Sequence, residues 1–153
     1  MTNDNSETKP RLQIARTFRT SPEKLWRAWT DPALMLRWLG PVDWPAFEMA
    51  ADLRVGGLWS AALKSESGEI LRQSGRYLAI EAPEFLRFTF KWDGDNHEDG
   101  PGVETIVEVR ISATAEGASM HFTHEGLVSA DSQSGHESGW NSTFDRLADF
   151  LAA

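Results

Sequence analysis

Two polar side chains stand where an apolar one is expected, and they open the question of chemistry. Arg16 lies in a segment where Leu12, Ile14, Arg16 and Phe18 share one face of an alternating pattern. A planar guanidinium there would hold a ligand carboxylate or phosphate through two parallel hydrogen bonds. The commoner use of such an arginine is a structural ion pair, here to an acid of the final helix or of a neighbouring strand. His124 shares an inward phase with Met120 and Phe122, while His121 points the other way. An inward imidazole hydrogen-bonds a ligand, acts as a general base near neutral pH, or sits satisfied in the core. The core role is again the commoner one. On opposite faces of one strand, the two histidines cannot share a metal ion. Tyr77 is a second acid–base candidate.

Around these positions runs an aromatic set suited to line an apolar pocket: Trp38, Trp59, Phe88, Phe90, Trp92 and Trp140, with Phe122 and Phe144 beside them. A filled core is the alternative. A helix laid across a curved sheet seldom fills the enclosed space, which favours the pocket. Residues 93–100, Asp-Gly-Asp-Asn-His-Glu-Asp-Gly, carry calcium-like acids. Their sixth position is Glu98 rather than glycine, and strands flank them instead of helices, so they read as a solvated hairpin loop. Gly56-Gly57 lacks a phosphate-loop lysine and a following helix, and is a turn. No nucleophile elbow and no metal-ligand cluster is present, so neither a metal nor a cofactor is expected.

The composition narrows the class of partner. Asp and Glu number 23 against 15 Lys and Arg, a formal charge of −8, which argues against nucleic acid and against an anionic membrane surface. No apolar run approaches the ~20 residues of a membrane span. Cysteine is absent, so thiol chemistry is excluded and a reducing compartment is allowed. The polar start has no signal-peptide core, and a soluble cytoplasmic protein, monomer or homodimer, is the expectation. Seven tryptophans imply an aromatic interior, each burying on the order of 200 Å².

The elements that must position these groups follow from periodicity. Residues 1–10 read as a disordered lead-in and residues 11–153 as one domain. A first strand over 11–19 gives way at Ser21-Pro22-Glu23 to a helix start with a capping serine and proline at the first helical position. Asp31-Pro32 repeats that signal, and a second short helix should carry Leu34, Met35 and Trp38. Alternation then takes over: Phe47, Met49, Ala51 and Leu53; a strand over 58–64; a long strand over 69–81, kinked or bulged at Gly75; Leu86, Phe88, Phe90 and Trp92; Val103 to Ile111; and a last strand over 118–125. The final 23 residues form a helix with Trp140, Phe144, Leu147 and Leu151 on one stripe, capped by Asp131 or Ser132. Its first half is rich in serine and glycine, poor helix formers, and reads as a loose lid in front of a firm anchor. One strand, two short helices, six strands and a long helix make an antiparallel α+β fold.

That order resembles the START-like (SRPBCC) superfamily, and within it the homologues of the heat-shock-protein-90 ATPase activator. The residues that carry the likeness are Arg16-Thr17-Phe18, Ser21-Pro22-Glu23-Lys24-Leu25-Trp26, Trp29-Thr30-Asp31-Pro32, Trp38, Asp52-Leu53-Arg54-Val55-Gly56-Gly57, Gly75-Arg76-Tyr77, His124-Glu125-Gly126 and Gly139-Trp140. The resemblance implies a helix-grip fold, a curved antiparallel sheet of about seven strands wrapped on the C-terminal helix. Members of the superfamily include ligand binders, chaperone-activating domains and polyketide cyclases, so fold alone does not set activity. Activators of this kind usually carry a further N-terminal domain, where this chain has a ten-residue lead-in, which moves the expectation toward ligand binding. The first expectation is therefore an apolar or amphipathic small molecule held between helix and sheet by Trp59, Phe88, Phe90 and Trp140, with Arg16 and His124 supplying polar contacts. The mouth should lie near Trp38 and the glycine-rich start of the last helix. A chaperone-stimulating or partner-binding module is the second reading, and a cyclase-type enzyme using His124 or Tyr77 the third.

Overall fold

Strand β1 (Arg11–Phe18) alternates as its sequence does, burying Leu12, Ile14 and Phe18. The structure is a computed structural model and describes residues 10–94 and 103–152. All but Pro10 of the lead-in expected over 1–10, and most of the acidic loop after Asp93, thus fall outside the described residues.

Helix α1 (Pro22–Thr30) begins as expected, with the Ser21 hydroxyl accepting from the Lys24 amide. It buries Leu25, Trp26 and Trp29. Helix α2 (Pro32–Met35) is capped by Asp31 but is a single turn. Trp38 was expected on this helix and instead lies in the turn beyond it, where its Nε1–H donates to the Ala28 carbonyl at 3.0 Å. That bond folds the turn back on α1 and competes with helix propagation.

Strands β2 (Ala46–Ala51), β3 (Leu58–Lys64), β4 (Ile70–Glu81), β5 (Phe85–Asp93), β6 (Thr105–Thr114) and β7 (Gly117–Glu125) complete one seven-stranded sheet. Its order is β1-β7-β6-β5-β4-β3-β2, antiparallel throughout. The pairs β2–β3, β3–β4, β4–β5 and β6–β7 are joined by short connections, while β1 closes on β7 across the whole chain. Two local expectations change. A register shift between Ala46 and Glu48 rotates Phe47 outward, 38 % exposed beneath the Lys64 ammonium, rather than leaving it on the face of Met49 and Ala51. The register shift of β4 falls between Tyr77 and Ala79, not at Gly75. Gly75 serves close packing: a Cβ there would run into the Thr89 carbonyl and the Trp59 indole nitrogen.

Helix α3 (Ala130–Ala152) lies across the inner face of the sheet. Its cap is Ser129, whose hydroxyl accepts from the Ser132 amide at 3.0 Å, and not Asp131 or Ser132. The buried stripe is longer than Trp140, Phe144 and Leu147, because Ser132 and His136 continue it toward the N-terminus at four-residue steps. Ser132 is 1 % exposed and His136 8 %, and Gln133 donates to the Arg11 carbonyl at 2.9 Å. The serine- and glycine-rich half is therefore pinned at both margins and is not a loose lid. Propensity misjudges it because side-chain bonds to other elements, not intrinsic preference, hold the first turns.

Candidate functional site

The aromatic residues divide into two groups. The first is a packed cluster centred on Trp29, which is 1 % exposed. Trp38 meets it edge-on at 4.9 Å, and Phe122, Phe144, Phe88 and Trp140 surround it at 6.1–6.4 Å. The contacts are edge-on, tilted or, for Phe122, stacked, and edge-on and offset-stacked pairs are the favoured geometries of aromatic rings. Trp38, Phe122 and Phe144 thus stand in the filled core. Between Trp29, Trp59, Tyr77 and Phe88 there remains a void of only about 10 Å³, about one water sphere.

The second group borders open space. A cleft of about 210 Å³ lies between the N-terminal half of α3 and the sheet. Its floor is Leu63, Leu71, Gln73, Phe90 and Trp92 on β3, β4 and β5; its roof is Gly135, His136, Gly139, Trp140 and Thr143 on α3; its outer wall is Leu39, Gly40, Pro41 and Trp44. Of the residues singled out from sequence, Phe90, Trp92 and Trp140 line it. Trp59, Tyr77 and Phe88 lie below its inner end, around the small void they share with Gln73, Phe90 and Trp140.

Sequence rules explain why the cleft exists. Alternation on β4 turns Leu71, Gln73 and Tyr77 inward, and the cross-strand partner of Gln73 on β3 is Ala61, a residue too small to fill the space. Glycines at positions 135 and 139 strip the roof of side chains. A Cβ on Gly139 would meet only the Pro41 ring, at 3.7 Å. The outer wall is held away from the sheet by α3 itself. Arg146 donates to the carbonyls of Leu39 and Gly40 at 2.9 and 2.8 Å, and the Ser142 hydroxyl accepts from the Val42 amide at 2.9 Å. Gly40 takes a φ of +93° at that clamp, a conformation that favours glycine.

The buried polar groups beside the cleft form a satisfied chain whose proton positions follow from donor chemistry. An indole nitrogen only donates, so Trp140 Nε1–H donates to His124 Nδ1 at 3.1 Å. The neutral ring then carries its proton on Nε2 and donates to Thr105 Oγ1 at 2.7 Å, and that hydroxyl donates to the Phe90 carbonyl at 2.8 Å. By the same logic Trp92 Nε1–H donates to His136 Nε2 at 3.0 Å, and His136 Nδ1–H donates to the Ser132 carbonyl at 2.8 Å. Burial, with His136 second, pushes the His124 pKa down to about 3. His124 thus has both nitrogens engaged within the protein and is wholly buried, the arrangement of a structural core histidine. Burial, with the charge of Asp52 second, pushes the Tyr77 phenol up to about 12, away from the range of a base at neutral pH. Arg16 reaches α3 instead of a cavity: it pairs with Asp145 at 2.9 Å and donates to the carbonyl and side-chain oxygens of Asn141 at 3.1 Å.

Three participants had no advance reading from sequence: His136, Gln73 and Arg146. His136 could have been found by extending the α3 stripe one turn back from Trp140. Gln73 is legible as a polar residue in phase with Leu71 and Tyr77. Nothing local marks Arg146, whose partners lie more than a hundred residues away. Among the described residues no group of three or more His, Asp or Glu is disposed to hold a metal, and no helix is long and apolar enough to cross a membrane.

A curved antiparallel sheet gripping one long helix, with an aromatic cleft at the helix's N-terminal half, defines a START-like helix-grip domain. The sequence profile of the family described as "Activator of Hsp90 ATPase homolog 1-like protein" matches residues 19–152, and the chain belongs to that family. Solved structures agree. The chain is similar to the AHSA1 protein of Silicibacter pomeroyi, at 28 % identity and a TM-score of 0.81 over 94 % of this chain and 98 % of that one. A protein of Chromobacterium violaceum shares the fold at 24 % identity and a TM-score of 0.83, covering 94 % and 99 %. An AHSA1-like protein of Aeromonas hydrophila does so at 23 % identity and a TM-score of 0.73, covering 94 % and 92 %. No curated protein matches the chain.

Proposed function

We propose that this protein binds an apolar or amphipathic small molecule in the cleft under α3, and that it does so in the cytoplasm. One observation carries the reading: an aromatic cleft of about 210 Å³ faces two glycines across the helix, in a fold whose remaining interior is packed. An empty apolar space of that size lacks dispersion partners on one side, and a guest of matching shape restores them. The guest would contact Phe90, Trp92 and Trp140, with Trp59 and Phe88 behind them. Arg16 and His124, committed to Asp145 and to Trp140 and Thr105, would support the walls and not the guest. The test uses prodan, a neutral naphthalene ketone. Binding should shift tryptophan emission and raise the melting temperature, and Gly139→Leu, which fills the cleft from the roof, should abolish both effects. Unchanged emission and melting temperature in the wild type would remove the proposal's footing.

A second reading has its own observation. Val55 and Leu58, beside the turn between β2 and β3, are 63 % and 69 % exposed, with Leu53 near them, and clustered exposed apolar residues mark contact surfaces. The family's description points to a chaperone ATPase as the partner of such a surface. Addition of the protein to a purified Hsp90 should then raise its ATPase rate, and Leu58→Asp should cancel the rise.

A further inference from the structure

Gln73 carries the next step. It sits on the inward face of β4, in register with Ala61 on one side and Trp92 on the other, and is 5 % exposed. No hydrogen-bond partner for its side-chain amide is found among the described residues, although it stands where the cleft meets the small inner void. On the floor and roof the other polar side chains are engaged, while the Trp44 indole on the outer wall has no hydrogen bond among the described residues. The His136 ring spans Trp92 and the Ser132 carbonyl, and Thr143 Oγ1 donates to the Gly139 carbonyl at 2.8 Å. The amide is not sealed in the core, where the buried side-chain atoms without a hydrogen bond among the described residues are Trp29 Nε1 and Arg87 Nε. It faces the open space of the cleft, and a guest that fills that space must offer it a partner or leave it unpaired.

The rest of the lining restricts what that something is. Among the described residues no Lys, Arg, Asp or Glu borders the cleft, so a charged head group would be buried there without compensation from them. An amide both donates and accepts, which suits a neutral carbonyl or hydroxyl. An apolar cavity of about 150 Å³ accepts a single benzene ring. A cleft of about 210 Å³, open at its outer wall, therefore suits one ring or two fused rings among Phe90, Trp92 and Trp140. We propose that the guest of the cleft is a neutral aromatic molecule of one or two rings bearing one hydrogen-bonding group, and that the Gln73 amide at the floor reads that group. This rests on the ligand-binding reading above and narrows it to a chemical class.

The experiment compares three probes of one ring system: 2-naphthol, naphthalene and 2-naphthoate. Titrations are followed by the indole N–H signals of Trp92 and Trp140 and the side-chain amide signals of Gln73 in nitrogen–proton correlation spectra, in the wild type and in Gln73→Leu. Leucine leaves no unpaired polar group, and a melting temperature at or above the wild-type value confirms that the fold is kept. The expected result is that 2-naphthol binds the wild type about tenfold more tightly than naphthalene, the factor for one hydrogen bond, and that 2-naphthoate does not bind. In Gln73→Leu the two neutral probes should become equal. Equal binding of naphthol and naphthalene to both proteins overturns the role of Gln73 while leaving the cleft a binding site. Tightest binding by 2-naphthoate overturns the neutral class. Absence of binding by every probe overturns the cleft reading together with this one.

Discussion

Acid should destabilise this protein through one buried ring, and the effect can be worked out in advance. Burial, helped by His136, holds the His124 pKa near 3 in the folded chain, against an ordinary value of 6.5. Between those values the unfolded chain takes up a proton that the folded chain refuses. The stability that His124 contributes is therefore fully present above pH 6.5 and is lost progressively as the pH falls toward 3. The slope approaches about 1.4 kcal/mol per pH unit. Lowering the pH from about 7.5 to about 5.5 should cost roughly 1.4 kcal/mol from this group, and reaching about 4.5 roughly 2.7 kcal/mol. The geometry agrees with the sign, because a second ring proton would displace Trp140 Nε1–H from Nδ1. Urea unfolding followed by tryptophan fluorescence, repeated across that range, measures the total. The same series on His124→Gln subtracts the groups that both proteins share. Glutamine can still accept from Trp140 and donate toward Thr105. The variant should be less stable at pH 7.5 but lose less on acidification, by the amounts given. Parallel pH curves for the two proteins would refute the assignment of His124 as a buried neutral ring.

Three further outcomes follow from the packing. Gly75→Ala places a methyl group against the Thr89 carbonyl and the Trp59 nitrogen, and should cost at least the ~1–3 kcal/mol of an overpacked core site, read as a lower melting temperature. Arg146→Met removes the clamp on the Leu39 and Gly40 carbonyls; a loss of about 1–2 kcal/mol with faster amide exchange of Val42 is expected, and unchanged exchange would show that the wall stands without it. Asp145→Asn breaks the pair with Arg16, whose acid is 71 % exposed, and should cost less than about 1 kcal/mol in a urea titration.

The arrangement of the cleft gives its wall and its roof a common dependence. Arg146 and Ser142, on the same helix as Gly135, Gly139 and Trp140, tether the segment from Leu39 to Val42. The Trp92–His136 bond ties the floor to the roof on the opposite side. A guest that displaces Trp140 would pull on the His124–Thr105–Phe90 chain, so Trp140 reports on the cleft and on the core together.

By itself the sequence determined the elements and their order. Period-two alternation, the Ser21-Pro22 and Asp31-Pro32 starts and the Trp140–Phe144–Leu147 stripe are local signals, set by backbone sterics and by which face is buried. The inward phase of His124 was legible for the same reason, and so was the alternative for Arg16, an ion pair to an acid of the final helix. What tertiary structure decided is which inward residues meet space and which meet each other. Trp38 and Phe122 alternate or recur as regularly as Phe90 and Trp92, yet the first two pack against Trp29 while the others border the cleft. That difference comes from side chains far apart in the chain: Ala61 opposite Gln73, glycines at 135 and 139, and Arg146 holding the wall. Volume left over between elements is a sum over partners distant in sequence, and no local pattern encodes it.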